Sequence, residues 1–144
     1  MQVAQILSSK GTEVHSIVPE ASVEELVTEL ATRRIGAMVV TNPSGSVVGI
    51  VSERDVVRGL TSDPSIVQST VQAIMTKDVV SVGPDFEVAD LTRLMTERRI
   101  RHVPVIDERG ALVGLVSIGD VVKVRMDELE TERAALVDYI THGG

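Results

Sequence analysis

A chain of 144 residues, 43% hydrophobic and 24% charged, has the make-up of a folded globular protein: it can bury one ordinary core, or two small halves sharing one, but not two large domains. The absence of cysteine excludes thiol catalysis, disulfides and cysteine-based metal sites, and a single Tyr beside a single Phe leaves no aromatic platform on which nucleic-acid bases could stack. A formal net charge of -7 opposes general attraction to DNA or to an anionic membrane, so an anionic ligand would have to be held by local donors.

Met1 leads into a short amphipathic stretch, residues 2–9, that reads as a helix ended by Gly11. It lacks the basic and then apolar run of a signal peptide, and no apolar stretch approaches the roughly 18 residues of a membrane span. The expected compartment is the cytoplasm. Residues 16–18 read as extended. Ser22 and Glu25 form a capping-box pattern ahead of Val23, Leu26, Val27, Leu30 and Ala31 at helical spacing. "AMVV" is a short buried strand, "TNPSG" a turn, "SVVGIVS" a returning strand and "ERDVVRGL" a closing helix. A polar linker, "TSDPSIVQS", leads to "STVQAIM", which looks like the counterpart of the N-terminal helix. Then "DFEVADLTRLMTERR", "HVPVID", "ERG", "ALVGLVS" and "IGDVVKVRM" repeat the series.

Sliding the sequence by 65 positions aligns residues 19–58 with 84–123 without a gap, and fifteen of the forty pairs are identical, which marks the chain as a duplication. Neither copy has enough sheet and helix to cover its own strands, so the two are expected to pack about a pseudo-twofold axis and leave ligand-sized clefts between them.

The repeated signature is "P-x-x-x-V-x-x-L" opening a long helix, then "R-R-I-x-x-x-x-V", then a glycine-flanked strand ending in "V-S-x-x-D-V-V". It resembles the cystathionine-β-synthase (CBS) domain pair, or Bateman module, over about residues 2–125. The resemblance implies an α+β fold of two pseudo-twofold-related βαββα repeats packed sheet to sheet, with a short N-terminal helix and an extended C-terminal helix. The expected division is 1–64 for the first repeat with its N-terminal helix, 65–126 for the second, and 127–144 for an acidic helical extension. It also implies a non-catalytic regulatory module that binds AMP, ADP or ATP, or else NADH or S-adenosylmethionine, between the repeats and signals to an unlinked protein partner as a homodimer. A ligand-free dimeric scaffold is the alternative, and a nucleic-acid role is disfavoured by charge and by the missing aromatics.

Two readings are open for the shared corner. Ser52 and Ser117 can cap the following helix, with Asp55 and Asp120 favoured by the positive end of its dipole. Alternatively the carboxylates accept from ribose hydroxyls, while the serines meet ribose or phosphate at the helix start. Spacing alone favours capping, the resemblance adds ribose binding, and the two are compatible. Gly49 and Gly114 fit either a close approach or a strand bulge.

For phosphate, the resemblance points to Arg101 and His102, where the first copy has Gly36 and Ala37, so the clefts are not equivalent. Arg54 sits beside Asp55 at a helix start where the dipole does not favour a cation, and its expected partner is a phosphate or an acid across an interface. Arg33, Arg34, Arg98 and Arg99 are expected to neutralise carbonyls at helix ends. By resemblance the adenine candidates are Ile17, Val18, Ala37 and Met38 in one copy and Val82, Gly83, Val103 and Pro104 in the other, with plain core as the competing reading for Met38 and Val103. His15, His102 and His142 are too scattered for a metal constellation, and no nucleophile–base pair stands out. No catalytic site and no metal of its own are expected, although magnesium can arrive on a nucleotide's phosphates.

In the tail, Val122, Met126, Leu129, Arg133, Leu136 and Ile140 alternate spacings of four and three, a heptad-like seam. Acidic residues occupy the other faces, so contact with a second subunit or a partner is expected over packing in cis.

Overall fold

The structure, a computed structural model, describes residues 1–11 and 13–143. In chain order its elements are α1 (Val3–Lys10), β1 (Ser16–Ile17), α2 (Val23–Arg33), β2 (Ala37–Thr41), β3 (Val47–Ser52), α3 (Glu53–Ser62), a 3-10 turn (Pro64–Gln68), α4 (Val71–Ile74), α5 (Val88–Arg98), β4 (His102–Ile106), β5 (Leu112–Ser117) and α6 (Ile118–His142). The expected strand–helix–strand–strand–helix order thus occurs twice, with one difference. β1 pairs with β2 in parallel, and β2 with β3 antiparallel, whereas in the second copy the first strand is reduced to a single parallel bridge between Val82 and Val105 beside the β4–β5 hairpin.

Each long helix buries one stripe. In α2 it is Val23, Leu26 and Leu30, and in α5 it is Val88, Leu91 and Met95, each such side chain contributing about 1.5–3 kcal/mol on leaving water. The Ser22 hydroxyl accepts from the Glu25 amide at 3.0 Å, while Glu87 at the start of α5 makes no side-chain cap. At their other ends, Arg34 and Arg99 adopt left-handed backbone, φ 55° and 54°, and their amides close the last turns onto Leu30 and Met95. This conformation costs a non-glycine residue about 1–2 kcal/mol, and it is retained in both copies.

The aliphatic core is divided in two. One cluster holds Ile17, Val23, Leu26, Met38, Val40, Val51, Val56 and Val71; the other holds Val3, Ile6, Leu7, Val88, Leu91, Met95, Val103, Val116 and Val121. The first copy in sequence therefore does not contain its own leading helix. α1 packs on the second copy, its start bound through Val3 and Ala4 amides to the Phe86 and Pro84 carbonyls. α4 packs on the first copy through the matching bonds of Val71 and Gln72 to Ala21 and Pro19. Grouping the N-terminal helix with residues up to 64 follows the chain but not the packing, because the apolar face of α1 finds its partners on α5, β5 and α6.

This exchange explains the paired glycines. A Cβ on Gly114 would overlap one methyl of Leu7 and lie 2.8 Å from the other, and one on Gly49 would lie 2.7 Å from the Met75 sulfur and 3.0 Å from the Thr76 carbonyl. The register also shifts one pair further on, between Val40 and Thr41 and between Val105 and Ile106, so a close approach and a bulge share each corner. What approaches is the exchanged helix.

Candidate functional site

β3 and β5 end in serine, and the next residues turn at once into α3 and α6. Ser52 and Ser117 have extended backbone and form full capping boxes: the Asp55 and Asp120 carboxylates each accept from the serine amide at 2.8 Å, and the serine hydroxyls accept from the aspartate amides at 3.4 and 3.2 Å. Capping is thus built at both corners. It uses Oδ2 of Asp55, which also receives the Ser52 hydroxyl at 3.1 Å. Asp55 Oδ1 has no hydrogen bond among the described residues, and the nearest cation, Arg58 Nη1, stands 3.7 Å away. Although only 9% exposed, Asp55 lines a cavity of about 210 Å³.

Residues of both copies wall this first cleft. Arg54 and Arg58 come from α3, Arg99, Arg101 and His102 from the start of the second hairpin, and Asp78 from the segment between the copies. Arg54, Arg99 and Arg101 form no ion pair among the described residues. Four guanidiniums beside one buried carboxylate, with Glu53 and Asp78 also in the wall, offer cations to a polyanion and an acceptor to hydroxyl donors. Arg99, expected at its helix end, also lines this cleft, and Arg34 lines a second one. Arg33, in contrast, bonds Glu29 at 2.6 Å on its own helix.

The second cleft encloses about 370 Å³ and is lined by Lys10, Glu13, His15, Arg34, Leu115 and Ser117 among others. Asp120 does not line it. Its Oδ2 accepts from Lys10 Nζ at 2.7 Å. Burial alone would raise the Asp120 carboxyl, but the Lys10 hydrogen bond, the Ser117 amide and the Lys10 charge together hold it below the usual carboxylate range.

Gly36, Ala37 and His102 line both clefts. Ala37 and His102 occupy matching places in the two copies, and a Cβ on Gly36 would come 3.3 Å from Glu53 Oε1 and 3.5 Å from the His102 ring. The small pair in one copy makes room for the imidazole of the other. Burial, followed by the Lys10 field, pushes the His102 pKa below its ordinary value; Glu53 and Asp120 oppose this and Arg101 adds to it.

The adenine candidates divide. Ala37 lines both clefts, but Ile17, Met38, Val82 and Val103 belong to the buried cores, Pro104 is buried, and Val18 and Gly83 line neither cavity. The apolar wall of the first cleft is instead Ile50, Val80 and Ile100. β2 is buried along Ala37–Val40 on both faces, so alternation carried no sign of which side chains would face the opening. Arg58, Arg99 and Lys10 were missed. The first two stood one helical turn past Asp55 and beside Arg101, whereas Lys10 required knowledge of the helix exchange.

Among the described residues no group of three or more His, Asp or Glu is placed to hold a metal ion, and no helix is long and apolar enough to cross a membrane.

Duplicated βαββα units whose serine–aspartate corners open on clefts shared between the copies define a class of tandem α+β module. The chain belongs to the CBS domain family, which matches residues 3–62 and 71–127. It is similar to the CBS-domain containing protein ATU1752 from Agrobacterium tumefaciens, with 40% identity and a TM-score of 0.84 over 87% of this chain and 99% of that one. It is 33% identical over 150 residues to the mitochondrial CBS domain-containing protein CBSX3 of Arabidopsis thaliana, covering 98% of this chain and 72% of the relative. The CBS domain pair of protein MJ0100, solved in complex with 5'-methylthioadenosine and S-adenosyl-L-methionine, shares the fold at 23% identity and a TM-score of 0.80 over 89% of this chain and 98% of that one.

Proposed function

We propose that this chain is a non-catalytic regulatory module that binds an adenine nucleotide in the first cleft and passes its state to a separate protein. Asp55 accepts the ribose hydroxyls on Oδ1, and Arg54, Arg58, Arg99 and Arg101 with His102 receive the phosphates. Ile50, Val80 and Ile100 offer the base an aliphatic seat. The observation that carries this reading is the buried Asp55, fixed by its own cap through Oδ2, in the wall of a cleft that Arg54, Arg58, Arg99 and Arg101 also line. A neighbour of the same fold, solved in complex with two adenosine compounds, supports the ligand class.

The ligand set to test is AMP, ADP, ATP, NADH and S-adenosylmethionine, by calorimetric titration. Charge-assisted bonds contribute about 1.5–3 kcal/mol each, so Asp55→Ala is expected to weaken the bound ligand roughly 10- to 100-fold. No binding of any of the five at millimolar concentration would remove the nucleotide reading, and binding unchanged by Asp55→Ala would remove the site.

Assembly is part of the same proposal. From residue 131 to 143 every side chain of α6 and its cap is exposed, and Met126, Leu129, Leu136 and Ile140 lie 55–74% open. That seam supports pairing with a second copy.

A further inference from the structure

The two corners share the serine, the aspartate and the capping box between them, yet their carboxylates are engaged differently. We infer that Lys10 latches the second cleft shut against ribose, so that the chain takes up one nucleotide where the duplication offers two places; this rests on the nucleotide reading of the first cleft. The ammonium of Lys10 donates to Asp120 Oδ2 at 2.7 Å and to the Leu115 carbonyl at 2.8 Å, two bonds that tie the end of α1 across the corner. At the first corner the matching carbonyl, that of Ile50, is taken by the Thr76 backbone amide at 2.9 Å, and no ammonium reaches Asp55.

The cause is a difference in helix length. α1 and α4 start from matching anchor points, but α4 ends at Ile74 after four residues, while α1 runs eight and carries Lys10 in its last turn. Space is not the obstacle, since the second cavity, at about 370 Å³, exceeds the first, at about 210 Å³. The obstacle is chemical. A ribose hydroxyl is a neutral donor and would have to displace an ammonium that meets the same carboxylate as an ion pair at 2.7 Å. It would also have to leave an ammonium without its carboxylate. Lys10 lines the cavity in front, and Asp120 is withdrawn from it.

The test is calorimetric stoichiometry on the full chain with AMP, ADP and ATP, comparing the unmodified protein with Lys10→Met and Lys10→Gln, and with each of these combined with Asp120→Ala. Circular dichroism confirms that the variants are folded. Expected is one nucleotide per chain for the unmodified protein, two for either Lys10 variant, and a return to one when Asp120→Ala is added. Two per chain without substitution overturns the latch, as does one per chain in both Lys10 variants. No binding by any form overturns the nucleotide reading and the latch with it. A Lys10 variant that binds one beside an unmodified protein that binds none supports the latch and overturns the assignment to the Asp55 cleft.

Discussion

Gly114→Ala tests the helix exchange on which the second cleft depends. The added methyl would overlap one Leu7 methyl carbon and stand 2.8 Å from the other, where carbon–carbon contacts settle at about 3.5–4.0 Å. Leu7 is 5% exposed and packed among Val3, Ile6 and the second copy's core, so it must move by about an ångström or take α1 with it. Overpacking of this kind costs about 1–3 kcal/mol. Leu7→Ala alone leaves a cavity and costs about 2–5 kcal/mol. In the double variant the new methyl enters the space Leu7 vacates, so the combined loss should fall short of the sum by about 0.5–3 kcal/mol. Urea unfolding followed by circular dichroism, read as midpoint and slope for the four proteins, measures this coupling. Additive losses would refute the packing of α1 against β5. The matching Gly49→Ala should be rescued less by Met75→Ala, because one of the atoms it meets is the Thr76 carbonyl, and backbone cannot be trimmed.

His102 gives a pH prediction. Burial holds it below its ordinary value, so it is neutral near pH 7, and a phosphate beside it favours the imidazolium. Binding then takes up a proton, and the affinity for phosphorylated nucleotides should rise as pH falls from 8 to 6, a slope His102→Ala should flatten; a slope unchanged by the substitution removes His102 from the site. Arg99→Gly relieves the left-handed backbone and should stabilise the fold by about 1 kcal/mol while weakening nucleotide binding; Arg34→Gly should give the same gain with first-cleft affinity intact. Thermal melts and titrations separate the two effects, and equal affinity losses would contradict the division of the clefts. Leu129→Asp places a charge in the exposed seam of α6 and should halve the mass seen by light scattering. A mass that does not change refutes pairing through that helix.

The duplication, the order of elements and the serine–aspartate caps were legible because each is a local or periodic signal: an offset of 65, a helical stripe, a hydroxyl three residues before a carboxylate. The exchange of α1 and α4 left no such signal. Its trace was the pair Gly49 and Gly114, which the sequence could assign to a bulge or to a close approach without saying what approached. Arg34 and Arg99 resisted for a different reason: the left-handed cap position favours glycine, and an arginine there reads as helix-end solvation until the backbone shows where it points. The asymmetry between Gly36-Ala37 and Arg101-His102 was visible, and the structure turns it into a shared wall. The asymmetry of Lys10 was not, since its partner Asp120 lies 110 residues away.

The exchanged N-terminal helix also bears on how the chain is born. On the ribosome α1 emerges well before its partners, because Val3, Ile6 and Leu7 are buried against residues that reach as far as Val121. At roughly 5–20 residues per second, those partners arrive on the order of ten seconds later. Until then an apolar helix waits without a core, while the first copy acquires α4 almost as soon as it is made. The last contacts to close span most of the chain, which favours slow folding and ties both halves into one cooperative transition. A nascent chain arrested near residue 80 should therefore show a protease-resistant first copy carrying a frayed N-terminus, and full protection of α1 only after β5 and the start of α6 have been released.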